Sequence, residues 1–166
     1  PLGKKEYDNA QNEQQAAAIK QILQLFGISG DTADENFQKE IGHTRVSFWD
    51  CPLNRDYVKR LDSDNLPLTE AKSENRINRI AGTAEHPRQT ERVPAGAQFD
   101  FKLTVKQFDG DEEILLDTLL QGLKLLEWDS LGGNGSRGYG KVAFTAITRN
   151  GEDISSCFAA IQPFAK

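Results

Sequence analysis

A chain of 166 residues is long enough for one domain with a real core, since at that size roughly two thirds of the unfolded chain's surface can be buried. There is no signal peptide and no apolar run of the ~20 residues needed to cross a membrane, which excludes a helical membrane protein and leads us to expect a cytoplasmic location. The net charge of −5 is the balance of +2 on residues 72–92, +3 on residues 132–150 and −10 on the remainder; an acidic chain that keeps its positive charge on two segments is expected to make a localised contact with a phosphate backbone.

Cys51 and Cys157 belong to no C-x-x-C pair and to no histidine spacing that would complete a zinc site, so reduced, buried thiols are expected. The chain contains no methionine, and we expect it to be a piece of something longer.

Residues 8–27 are expected to form a helix: Ile19, Ile22, Leu23 and Phe26 follow helical spacing, Ala16 to Ala18 favour helix, and Gly27 supplies a stop. Residues 29–42 hold turn and charged residues around Phe37 and Ile41, which reads as a surface connection. Residues 45–50 alternate as a strand, with Val46 and Phe48 opposite Ser47 and Trp49. Residues 52–69 are polar and irregular, with at most a short helix around 56–61.

Residues 72–97 form a long polar insert. Its first arm alternates, with Lys72, Glu74, Arg76 and Asn78 on one side and Ser73, Asn75, Ile77 and Arg79 on the other. A hairpin with its tip between Gly82 and Pro87 is expected to project from the domain. Residues 98–107 are the cleanest strand, placing Phe99, Phe101, Leu103 and Val105 on a core face. Residues 111–128 read as an amphipathic helix capped by Asp109 or Asp111, with Leu115, Leu116, Leu119, Leu120, Leu123 and Leu126 as the buried stripe. Gly122 in its middle points to close packing. A strand over 141–148 and a weakly patterned tail complete the chain.

Between that helix and the last strand lies Leu131-Gly132-Gly133-Asn134-Gly135-Ser136-Arg137-Gly138-Tyr139-Gly140-Lys141-Val142. Such a stretch cannot be a helix or a central strand, because glycine loses the most backbone entropy and has nothing to pack. Glycines bare their N–H groups, and Asn134, Ser136, Arg137 and Lys141 add donors, so the expected ligand is an anion. Gly135 to Lys141 fits seven positions of a P-loop, but Val142 stands where that motif needs a hydroxyl, and a strand pattern follows instead of a helix. Nucleotide hydrolysis is therefore not expected.

Strand, helix, glycine loop and strand over residues 98–148 make one half of a split βαβ, ferredoxin-like (RRM-like) sheet, and helix 8–27 followed by strand 45–50 makes the back of the other half. The expectation is a single α+β domain over residues 1–166, N-terminally incomplete, with a β-hairpin inserted at 72–97 and its first core strand upstream of Pro1.

Leu131 to Val142 resembles the C-terminal glycine-rich signature of the RAMP superfamily of CRISPR proteins. Arg76-Ile77-Asn78-Arg79-Ile80 with Pro87-Arg88-Gln89-Thr90-Glu91-Arg92-Val93-Pro94-Ala95-Gly96 resembles the thumb of that superfamily's type III backbone subunit, and Val46 to Leu53 resembles its second core strand. The resemblance implies a subunit that binds CRISPR guide RNA, meets target RNA, and stacks with other RAMP subunits or repeats into a filament whose thumbs interrupt the guide–target duplex. The RNA-binding residues it implies are Asn134, Gly135, Ser136, Arg137 and Tyr139 in the loop and Lys72, Arg76, Arg79, Arg88 and Arg92 in or beside the thumb. Tyr139 would stack on a base or pack the loop onto the sheet; Arg76 and Arg79 would meet phosphate or pair with Glu74; Arg88 would meet phosphate or instead pair with Glu91, leaving Arg92 as the contact.

In the family, target RNA is cut at an aspartate in a loop after the first strand. That position would lie upstream of Pro1, and neither Asp31, Asp34 and Asp50 nor His86 takes the role, so no catalytic residue is assigned. No motif here implies a cofactor; a divalent metal, Mg²⁺, enters only with target-RNA cleavage. The competing expectation is a RAMP endoribonuclease that processes precursor CRISPR RNA, which would act alone on a hairpin RNA.

Overall fold

The computed structural model describes residues 2–28, 34–111 and 114–164. A short helix α1 (Lys4–Asp8) precedes α2 (Glu13–Phe26), so the helix expected from residue 8 begins at residue 13. Asn12 resets the start: its side chain accepts from the Gln15 amide at 2.8 Å while the Gln15 side chain accepts from the Gln11 amide at 2.7 Å. Gly27 ends α2 at φ +85°, donating its N–H to Leu23.

Residues 34–42 correct the expectation of a surface connection. They form α3 (Glu35–Ile41), capped by Asp34, whose carboxylate accepts from the Phe37 amide at 2.9 Å. Phe37 and Ile41, four apart, lie on one helix face and are both buried. Residues 29–33 of the expected connection lie outside the described residues.

The chain continues through β1 (Val46–Phe48), α4 (Arg55–Ser63), β2 (Glu70–Asn78), β3 (Thr83–Arg92), β4 (Leu103–Val105), α5 (Ile114–Trp128), a 3-10 turn at Gly135–Arg137, β5 (Thr148–Arg149), β6 (Glu152–Asp153) and α6 (Ser155–Ala160). The protein is thus α+β. Among the described residues its strands make three two-stranded sheets, β1 with β4, β2 with β3, and β5 with β6. Contacts divide the chain into two compact units, one of residues 1–47 with 104–166 and one of residues 48–103.

In the first unit, Ile19 and Leu23 of α2 pack with Phe37 and Ile41 of α3, and Tyr7, Ala10 and Ile28 lie against them. α5 buries Leu115, Leu119, Leu120 and Leu123 of the expected stripe, with Leu116 and Leu126 half-buried, and its Thr118 hydroxyl reaches Gln21 of α2 at 3.1 Å. Gly122 lies on the exposed face with nothing within 4 Å of an added Cβ, so it is not a point of close packing within the chain. The Asp111 carboxylate accepts from Arg45 and from the Phe108 amide, and residues 112–113, on which the α5 cap depends, lie outside the described residues.

The expected strand over 141–148 is absent. Its burial still alternates, Val142 and Phe144 half-buried against exposed Lys141, Ala143 and Thr145, but no strand is assigned before Thr148 and Ala146 takes φ +51°. Alternation reports two faces of an extended chain; a ladder also needs a partner. The tail is more ordered than its pattern, with β5 and β6 paired and α6 burying Phe158.

In the second unit, α4 is capped by Asn54, which accepts from the Asp56 and Tyr57 amides. The Asn54 amide donates to Gln98, and the Asp100 amide to Pro52, around a bridge between Leu53 and Phe99. The regular strand is therefore shorter than the expected 98–107, and its supposed core face is half open: Phe99 and Phe101 are 48% and 40% exposed. Both cysteines are free, as expected, but exposed instead of buried.

Candidate nucleic-acid interface

The glycine loop begins where α5 ends. Leu131 donates its N–H to Gly140 at 2.8 Å, closing the eight residues between them into a ring. Inside the ring Asn134 sits in the left-handed region, Arg137 and Tyr139 both donate their amides to its carbonyl, and Gly138 donates to Gly135. The amides of Gly133, Asn134, Gly135 and Ser136 donate to nothing among the described residues. A run of uncommitted donors in a turn is what an anion-binding loop requires.

The glycines are needed for two different reasons. Gly138 and Gly140 take φ +77° and +70°, and a Cβ on Gly140 would come within 2.1 Å of the Leu131 carbonyl oxygen. Gly135 is not at positive φ; there a Cβ would fall 2.1 Å from the Ser130 hydroxyl, so its requirement is space. Asn134, Ser136 and Arg137 are exposed and Tyr139 is half-buried. Lys141 departs from the expectation of a donor to the anion: its Nζ turns back onto the end of α5, donating to the carbonyls of Trp128, at 3.0 Å, and Asp129.

The other cations lie on the hairpin of β2 and β3. Its tip is residues 79–82, earlier in the chain than the expected Gly82 to Pro87. Asn78 fixes it, its side chain accepting from the amides of Ile80 and Ala81 while its carbonyl accepts from Gly82. Glu74 opposes Arg88 and Arg76 opposes Glu85, so His86 and Pro87 face Asn75 alone. That is a bulge, which tolerates a proline with no N–H and a histidine at φ +51°. Asn-driven turns and bulges have no separate period, so alternation alone does not locate the tip.

The ion pairs on this hairpin also differ from expectation. Glu74 pairs with Lys72 at 3.3 Å, not with Arg76 or Arg79. Arg92 pairs with Glu70 at 2.6 Å, and Glu91 is taken by the Thr69 hydroxyl. Arg76, Arg79 and Arg88 are exposed and make no ion pair among the described residues. Of Arg88 and Arg92, it is Arg92, at the base of the hairpin, that is ion-paired, and Arg88, opposite Glu74 in mid-ladder, that is not. The hairpin cations belong to one unit and Asn134 to Tyr139 to the other.

Among the described residues no three His, Cys, Asp or Glu side chains cluster to hold a metal. No described helix is long and apolar enough to cross a membrane.

The family model of the RAMP superfamily matches residues 2–143, from α1 through the glycine loop. The chain belongs to the RAMP superfamily. This RAMP chain is 47% identical over 85 residues to the CRISPR system Cms endoribonuclease Csm3 of Methanothermobacter thermautotrophicus, covering 51% of the chain and 34% of that protein. It is 41% identical over 130 residues to the Csm3 of Streptococcus thermophilus, 76% of the chain and 54% of the relative. With the Csm3 of Methanocaldococcus jannaschii it shares 44% identity over 122 residues, 72% of the chain and 46% of the relative. The chain spans about half the length, or less, of these curated relatives.

Proposed function

We propose that this RAMP chain is the guide-RNA-holding part of a type III CRISPR effector backbone subunit, built on a ferredoxin-like domain whose β2–β3 hairpin is the inserted thumb. Its partners in this reading are CRISPR guide RNA, target RNA and neighbouring RAMP subunits or repeats, in the cytoplasm. The observation that carries the reading is the glycine loop: four consecutive uncommitted amides beside exposed Arg137, in a chain similar to Csm3. Arg76, Arg79 and Arg88 add a second set of cations with no carboxylate to neutralise them.

The chemistry is contact with charge. Backbone amides and guanidinium groups meet phosphate oxygens, which position a nucleic acid without reading its bases. The relatives' name describes an endoribonuclease, but no described residue of this chain is assigned to RNA cleavage. The relatives compared carry the Csm3 name, which leaves precursor processing without a supporting observation.

In the complete protein, titration with guide-length RNAs of scrambled sequence, repeated at several salt concentrations, tests the reading. Affinity is expected to fall steeply and linearly on a log–log plot with salt, and to be alike for all sequences at fixed salt. A large preference for one sequence, or affinity indifferent to salt, would overturn it.

A further inference from the structure

The chain entering the glycine loop and the chain leaving it are held together by side chains as well as by the Leu131–Gly140 hydrogen bond. On the leaving side, Lys141 donates to the carbonyls of Trp128 and Asp129, groups at the end of α5 that have no partner within the helix. A cation there also meets the negative end of the helix dipole. Farther along, the Phe144 amide donates to Glu127 Oε1 at 2.7 Å, and Glu127 Oε2 is held by Lys124 Nζ at 2.8 Å. Both side chains of that pair are largely buried, at 13% and 17% exposed, and Lys124 lies 4.9 Å from the Phe158 ring centroid.

We propose that Lys141 and Glu127 are positioning residues that clamp the base of the glycine loop, holding it in its RNA-binding shape before RNA arrives. The proposal rests on the loop being the RNA site. A loop with five glycines between Leu131 and Lys141 has many alternative shapes, and each must be given up on binding unless the loop is already held. Lys141 and Glu127 touch the two strands of chain at the neck, so their contribution is to the order of the loop and not to its contacts with phosphate. Phosphate contact and loop order leave different signatures. Losing a phosphate contact lowers both affinity and the salt slope; losing order lowers affinity and leaves the slope where it was.

The test uses Lys141→Gln, Lys141→Arg, Glu127→Ala and Arg137→Ala in the complete protein, with guide-length RNA as probe. Two quantities are read: the dissociation constant as a function of salt, and, without RNA, the rate of tryptic cleavage after Arg137. Lys141→Gln and Glu127→Ala are expected to weaken binding on the order of tenfold, the equivalent of one charge-assisted hydrogen bond, with the salt slope unchanged and cleavage after Arg137 accelerated. Lys141→Arg keeps donors for the two carbonyls and is expected to restore both quantities, which separates loss of the clamp from loss of the fold. If Lys141→Gln lowers the salt slope by about one, as Arg137→Ala is expected to do, Lys141 touches phosphate and the proposal fails. It fails equally if Arg137→Ala weakens binding while both clamp variants match wild type in affinity and cleavage rate. If Arg137→Ala leaves binding unchanged, the RNA-site reading falls instead, and unchanged cleavage in the clamp variants would then overturn the clamp independently.

Discussion

Arg45 and Asp111 show how one buried pair can organise a corner of the first unit. Arg45 Nη2 lies 2.8 Å from Asp111 Oδ1, its Nη1 donates to the Ile41 and His43 carbonyls, and the guanidinium stands 5.0 Å from the Phe108 ring centroid. The hydrogen bond from Arg45 comes first among the causes holding the Asp111 carboxyl below its ordinary value; burial opposes it, and the Phe108 amide adds to it. A depressed folded pKa contributes stability that is present above the unfolded value of 3.8 and lost as pH falls through the folded value. Asp111→Asn is therefore expected to destabilise the protein by about 3 kcal/mol at neutral pH, the low end for breaking a buried pair, because the Arg45 carbonyl partners remain. Denaturant unfolding of both proteins across pH should show the gap closing below pH 3.8. A gap that does not narrow as pH falls below 3.8 would mean the carboxylate charge is not what the pair contributes. Gly122 offers the opposite case, since it is exposed, helical and free of neighbours. Gly122→Ala is expected to raise stability by about 0.5–1 kcal/mol, seen as a higher Tm; a loss would mean that this face is occupied in the assembled protein.

Elements were legible where one local signal sufficed. The α2 stop at Gly27 and the alternating arm from Lys72 to Asn78 each follow from the residues in place. α3 carried its own signals, Asp34 as cap and Phe37 with Ile41 four apart, but at seven residues it is too short for its period to stand out. The stretch 141–147 failed for another reason: its alternation was real, but pairing depends on a second strand that no local pattern specifies. Within the loop, the glycines were recognisable as a class while their separate requirements were not. Gly138→Val is expected to strain a left-handed backbone and to weaken RNA binding at least tenfold with the fold retained, since nothing lies within 4 Å of its added Cβ. Gly135→Val must displace Ser130 and is expected to loosen the end of α5 as well. Comparing RNA affinity with Tm for the two variants checks this, and equal loss of Tm in both would show the loop to be a structural connection.

At the scale of the whole molecule, the proposed RNA contacts are two sets of cations on an acidic chain. Surplus negative charge of −10 outside residues 72–92 and 132–150 opposes non-specific approach of a polyanion, so affinity must come from contacts made locally at those segments. Arg137 is in one unit and Arg76, Arg79 and Arg88 are in the other. Independent contacts should add in free energy, and each lost phosphate contact should lower the salt slope by about one. Replacing Arg76, Arg79 and Arg88 together by alanine is thus expected to lower the slope by about three, and adding Arg137→Ala by about one more. Arg92→Ala, which removes a guanidinium held by Glu70, should lower the slope less than Arg88→Ala does. The measurement is the salt dependence of guide-length RNA affinity across this series in the complete protein. A hairpin triple variant with the wild-type slope would remove the β2–β3 hairpin from the proposed interface and leave the glycine loop as its whole contact with RNA.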